Sequence, residues 1–220
     1  MNQAQDAGAA RQEGRSGEGR RVLLGEICDI QSGMPALKPG QYVAEGLPVV
    51  HPVDLVGHRL TDSPSRHVPV EDAERLGRYA VADGDLLMTR SGTVGRVARA
   101  TSDEQGWLNG PSLIRLRVRE REYVDPDYLL ACLASSAGQE WIRRAAAGST
   151  IQHLSMRLLA DLPVHLPGAP EQRRVGRTLK VLEEKIRAHE DVVRATRALR
   201  DALTDEMTSG GAHGVGAVDR

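Results

Sequence analysis

Short apolar runs, each broken by glycine or proline, fill the chain from Val22 to about Pro170. The segment around Val22–Gly33 leads into a polar loop at Ser32–Gly40. Leu47–Leu55 is rich in β-formers, and its two prolines restrict it to an edge or irregular strand. An Asp83-Gly84 turn precedes a buried-strand run, Asp85–Thr89; the glycine-punctuated Ser91–Arg96 then leads into a second strand, which predicts a hairpin. A further strand alternates Leu113, Arg115 and Arg117 against Ile114, Leu116 and Val118. The period then switches. Asp125-Pro126 opens a helix carrying Tyr128, Leu129 and Leu133, and Ser155 caps a short helix to Ala160.

From Glu171 to about Met207 the pattern is continuously helical, with Gly176 as its one glycine. Val175, Leu179, Leu182, Ile186, Val193, Leu203 and Met207 fall on a heptad seam, interrupted by His189, Thr196 and Arg200. Such a helix runs about 55 Å, more than is needed to cover a small domain. Its stripe calls for a partner helix, unless it folds back along its own domain. The expected fold is α+β: one mixed domain with a twisted, mostly antiparallel β core, followed by a long coiled-coil-type helix. The expected boundaries are a disordered tail at 1–20, the domain at 21–169, the helix at 170–208 and a disordered tail at 209–220.

Composition adds limits. The formal net charge is −1, so no global basic field points to nucleic acid, and any phosphate contacts must come from a local patch. Lysine occurs only at Lys38, Lys180 and Lys185, and arginine supplies the rest of the positive charge. Cys28 and Cys132 lie far apart with no metal-ligand spacing, which argues against a disulfide framework or structural zinc. Without a membrane-length apolar run or a signal-peptide core, the chain is expected in the cytoplasm, with no membrane partner.

Motifs for catalysis are missing. Asp125-Pro126-Asp127-Tyr128 misses the second proline of the amino-methyltransferase loop and has no glycine-rich cofactor loop upstream. Glu183-Glu184-Lys185 fits half a nuclease motif but sits in a helix of alternating charge, and no P-loop is present. His51, Asp54 and His58 have metal-ligand spacing only if helical, which Pro52 and Gly57 oppose; no metal is expected. Ser91–Arg96 could cradle a phosphate with backbone N–H groups, although a hairpin turn explains its glycines equally well. The chain is therefore expected to be non-catalytic and to hold no cofactor of its own.

Four blocks, in order, resemble the specificity subunit of type I restriction–modification enzymes. They are LGEICDIQSG with GLPVVHPVDL; ADGDLLMTRSGTVGRVARA; GSTIQHLSMRLLADLPVHLP; and PEQRRVGRTLKVLEEKI, which is similar to the Glu-Gln opening of that family's spacer helix. Together they cover residues 22 to about 207. The resemblance implies a domain reading half of a bipartite double-stranded DNA site. It also implies a DNA adenine methyltransferase partner that binds S-adenosylmethionine, and leaves a restriction–translocase subunit open as a further partner. Family members generally carry two recognition domains and two spacer helices, whereas one of each is found here, as in a half-length form. Two copies could pair their helices antiparallel as a homodimer, or the helix could pair only with methyltransferase helices.

Residue types suited to phosphates and base edges cluster in four places. The first loop offers Gln31, Ser32, Lys38, Gln41 and Tyr42; the segment after the proline-rich strand offers His58, Arg59, Arg66 and His67. The hairpin offers Arg90, Ser91, Thr93 and Arg96, and the third block offers Ser149, Thr150, Gln152 and His153. Arg90 and Ser91 stand out, because a glycine-flanked turn lets backbone approach a duplex. The alternative function is a coiled-coil regulatory or scaffolding protein that binds only protein partners.

Overall fold

A computed structural model describes residues 19–147 and 153–209. The expected tails fall almost wholly outside these residues, but Arg20 already belongs to a strand and Ser209 still belongs to a helix.

In chain order the elements are β1 (Arg20–Leu23), α1 (Leu24–Ile27), β2 (Cys28–Ser32), β3 (Leu47–Val50), β4 (Leu55–Val56), β5 (Arg59–Leu60), β6 (His67–Val68), α2 (Ala73–Leu76), β7 (Leu86–Thr89), β8 (Val97–Arg99), β9 (Leu108–Asn109), β10 (Leu113–Val118), α3 (Pro126–Ala134), α4 (Ser136–Ala146), α5 (Met156–Ala160), β11 (Pro163–Leu166) and α6 (Ala169–Ser209). The central sheet runs β2-β10-β7-β8-β5-β4, with every pairing antiparallel except β5 with β8. β6-β3-β9 form a second sheet, and β1 pairs with β11. This is the mixed, mostly antiparallel α+β fold that the pattern predicts.

The central sheet is buried on both faces. One carries Leu86, Met88, Val97, Ile114 and Leu116, packed with Tyr128, Leu129, Leu133 and Ile142 of the helices. The other carries Leu87, Ala98 and Leu113, packed with Val50, Leu55, Leu60 and Val81. The predicted alternation in β10 therefore does not mean solvent on the arginine side: Arg115 is 8% exposed. The Arg78 and Ala80 carbonyls, which accept hydrogen bonds from Arg115, and the fully buried carboxylate of Asp85 account for this. That carboxylate accepts two hydrogen bonds from Arg117, at 2.8 and 2.7 Å, and one from the Ala82 N–H at 2.8 Å, while Arg115 Nε lies 3.9 Å away. Burial pushes the Arg115 guanidinium below its usual pKa and Arg117 adds to this, whereas Asp85 opposes it. The hydrogen bond to Asp85 raises Arg117.

The helix predicted from Asp125 is broken. α3 ends at Ala134, and Ser135, in extended backbone, accepts a hydrogen bond from the Gly138 N–H and caps α4. Gly138 is needed at this corner, since a Cβ there would lie 2.3 Å from the Cys132 carbonyl oxygen. The predicted caps form: Asp125 accepts from the Asp127 and Tyr128 N–H groups, and Ser155 from Leu158. Both cysteines are free, and burial pushes the Cys28 thiol up to about 12.

α6 spans 41 residues, about 61 Å, starting slightly earlier than predicted. The chain divides into compact units between Arg177 and Thr178, so the first two turns belong to the domain. Gln172 is 2% exposed; its amide donates to the Tyr123 and Pro167 carbonyls and accepts from the Asp125 N–H. Val175, predicted as a seam residue, instead packs against the domain core, because the buried Gln172 and Gly176 turn that face inward. The free seam begins at Leu179. In the second unit, Leu179, Leu182, Ile186, Val193, Leu203 and Met207 are all exposed.

Replacing Asp85 by alanine strands two buried or half-buried guanidinium groups. Chemical denaturation of Asp85→Ala is expected to show a loss of about 3 kcal/mol or more, and a loss below 1 kcal/mol would contradict this network.

Candidate nucleic-acid interface

Strand register delivers the predicted residues to different places. Ile114 of β10 is flanked by Ser32 of β2 on one side and Met88 of β7 on the other. Arg90, two residues beyond Met88, continues on the same side of the strand and reaches Ser32. Its Nη1 donates to Ser32 Oγ at 2.7 Å, and its Nη2 lies 2.7 Å from His153 Nε2, which acts as the acceptor. The Arg90 N–H donates to the Ser112 carbonyl and its carbonyl accepts from Leu154, while Ser91 bridges to His153. Backbone on both sides thus holds the arginine. Among the described residues, no carboxylate lies within ion-pair distance of Arg90.

Arg90 and Ser32 line an open cleft of about 660 Å³, together with Gln31, Met34, Arg78, Tyr79, Ser112 and Met156. Among the described residues, the cleft is lined by two arginines and no acidic side chain. Its floor depends on a close backbone approach: a Cβ on Gly33 would sit 1.8 Å from the Gly110 carbonyl oxygen, so only glycine fits. Gln31 Oε1 is buried without a hydrogen-bond partner among the described residues. Arg78 was not singled out by sequence. Its guanidinium lies 4.6 Å from the Tyr79 ring centroid and donates to the Tyr79 hydroxyl at 2.5 Å. Gly77-Arg78-Tyr79 resembles any polar turn in sequence, and only the fold places it at the cleft.

A second group gathers around β3 and β6. Arg66 lies 5.3 Å from the Tyr42 ring, which meets the His51 ring edge-on at 5.9 Å. His67 is half-buried on β6. Exposed Lys38 and Gln41 form a local turn in which the Gln41 side chain accepts from the Lys38 N–H at 2.9 Å. Burial holds His51 below its ordinary pKa, as does the Arg66 charge, against an opposing effect of Asp54.

The third group is structural in its contacts. His58 Nδ1 lies 3.1 Å from the Val97 carbonyl, and the Arg96 guanidinium donates to the Leu55 carbonyl. Arg59 faces Asp62 at 3.8 Å. β5 lies four strand spacings from β2, so Arg59 and Ser32 are roughly 19 Å apart. The phosphate cradle at Ser91–Arg96 loses half of its donors: the Val94, Gly95 and Arg96 N–H groups bond to Gly92 and Thr89. Thr93 is exposed, and its carbonyl accepts from Thr89 Oγ1. Ser149, Thr150 and Gln152 lie outside the described residues. Among the described residues, no group of three His, Cys, Asp or Glu is placed to hold a metal, and no helix is long and apolar enough to cross a membrane.

A family model described as "Type I restriction modification DNA specificity domain" matches residues 21–193. The chain belongs to this family. Specificity domains are the non-catalytic DNA-recognition components of type I systems. No curated protein matches the chain. Among solved structures, a chain from a study of complex assembly and conformational transition of a type I system is similar, at 22% identity and a TM-score of 0.61, over 90% of this chain and 47% of that one. The type I S subunit from M. genitalium is 18% identical with a TM-score of 0.61, over 87% and 46% of the two chains. The HsdS subunit from Thermoanaerobacter tengcongensis is 21% identical with a TM-score of 0.54, over 90% and 46%. The specificity domain described here thus spans about half the length of these proteins and shares their fold.

The His51 shift sets a pH dependence. Its folded pKa lies below the ordinary histidine value of about 6.5, so below that pH the unfolded chain binds more protons. The stability it contributes is present above 6.5 and lost as the pH falls towards the folded pKa. Melting temperatures between pH 7 and 5 are expected to fall more steeply for the native chain than for His51→Gln; parallel curves would exclude this group as the cause.

Proposed function

We propose that this chain is the DNA sequence-recognition subunit of a methylation complex, directing a partner adenine methyltransferase to its site. The observation that carries the reading is the cleft holding Arg90 and Arg78 with no acidic residue, on a chain of family-assigned DNA specificity. A cleft of one sign compensates locally for a net charge of −1, because affinity for the phosphate backbone depends on nearby cations and not on the global sum.

Arg90 is held at one guanidinium edge by Ser32 and His153, which fixes the side chain before DNA arrives. Pre-ordering lowers the entropy cost of binding. Arg78, Arg66 and Lys38 supply further positive groups. S-adenosylmethionine belongs to the methyltransferase in this reading, and a nuclease–translocase subunit joins where the complex also restricts. The complex works in the cytoplasm. Two copies pair through the exposed seam of α6, giving a symmetric arrangement that reads a symmetric bipartite site.

The test is DNA retention by the complex reconstituted with its methyltransferase. Retention is expected to be sequence-selective and salt-dependent, and to be lost when this chain is omitted; retention without this chain would favour a purely protein-binding scaffold. Arg90→Ala is expected to weaken binding about tenfold or more and to reduce the salt slope by about one unit. Unchanged affinity and slope would remove Arg90 from the interface.

A further inference from the structure

The seam of α6 is exposed on every predicted position from Leu179 to Met207, and two further large apolar residues, Val192 and Leu199, are 63% and 61% exposed beside it. Beside the seam also lie charged residues whose ion pairs are not made within the chain. The helix pairs Arg194 with Asp191 and Arg200 with Asp201. Among the described residues, Glu190, Arg197, Lys185 and Glu206 have no such pair.

We infer that the occupant of this seam is a second copy of the same helix, antiparallel, with the two-fold axis passing between Arg194 and Ala195. This rests on the homodimer reading above and gives it one register. About that axis Glu190 faces Arg197 of the second copy, Lys185 faces Glu206, and Val192 faces Leu199, each contact occurring twice. In the seam itself Leu182 meets Met207, Ile186 meets Leu203 and Val193 meets Thr196. The two strongly polar seam residues, His189 and Arg200, meet each other instead of an apolar side chain.

Neighbouring registers lose this match. A slip that moves the axis to residue 191 places Glu190 against its own copy and sets Leu182 against Arg200. A slip that moves it to residue 198 places Arg197 against its own copy and Val192 against Glu206. Parallel pairing in register stacks Arg200 on Arg200 and His189 on His189 in the seam. Like charges held together oppose association, and polar residues in a seam select the register that pairs them. The charge pattern therefore singles out one arrangement of two identical helices.

The test uses the full chain and sedimentation equilibrium. The native chain is expected to dimerise. Glu190→Arg and Arg197→Glu, each alone, place like charges across the axis twice and are expected to weaken the dimer about tenfold. The double variant E190R/R197E restores opposite charges and is expected to return to within about threefold of the native dimer. Residues seven apart are not neighbours on one helix, so recovery cannot come from within the chain. A monomeric native chain, or a double variant no tighter than the single ones, overturns the register. DNA retention by the methyltransferase complex is measured in parallel, so a failed register is distinguished from a failed recognition function.

Discussion

A carboxylate without solvent access must be neutralised where it lies, and the second face of the central sheet is arranged around that demand at Asp85. Its oxygens accept two hydrogen bonds from Arg117 and one from the N–H of Ala82, which fixes the start of β7 against β10. A one-residue slip of β7 would move Asp85 to the opposite, helix-covered face and leave the β10 arginines without an anion. The far end of the same short strand carries Arg90. The buried ion network and the exposed arginine are thus two ends of one register, and the geometry of the cleft follows from the core.

That coupling explains what was legible in the sequence. Local signals read correctly: Asp83-Gly84 ahead of β7, the glycines between β7 and β8, Asp125-Pro126 and Ser155 as helix starts, and the continuous helical pattern of α6. Features made by distant segments did not. Arg115 and Arg117 sit in an alternating strand that reads as half-exposed, and groups about thirty to forty residues earlier, the carboxylate of Asp85 and the carbonyls of Arg78 and Ala80, turn them inward. The break at Ser135 depends on how closely Gly138 approaches the Cys132 carbonyl, a contact with no periodicity of its own.

The candidate interface divides in the same way. Residue types suited to DNA could be named from the sequence, but their grouping could not. Arg90 meets Ser32 across 58 residues and His153 across 63. His58 and Arg96, chemically as suitable, are engaged with the carbonyls of Val97 and Leu55 and hold the β4–β5 turn to the hairpin. Arg78 entered the cleft unannounced because an exposed arginine beside a tyrosine carries no distinguishing pattern.

α6 joins two kinds of constraint in one helix. Its first two turns are governed by fit to the domain: Gln172 serves three backbone groups, and Gly176 lets α3 approach so closely that a Cβ would lie 3.0 Å from that of Asp127. Beyond Thr178 the constraint is pattern alone. A seam built only for affinity would carry leucine or isoleucine at residues 189, 196 and 200. His189, Thr196 and Arg200 instead sacrifice apolar contact, a cost that makes sense where a single pairing must be distinguished from its slipped neighbours. In the dimer proposed above, a slip of one heptad would displace each helix by about 10 Å along its partner, or roughly three base-pair steps. On that reading, register fidelity in the helix sets the spacing at which two recognition domains meet DNA.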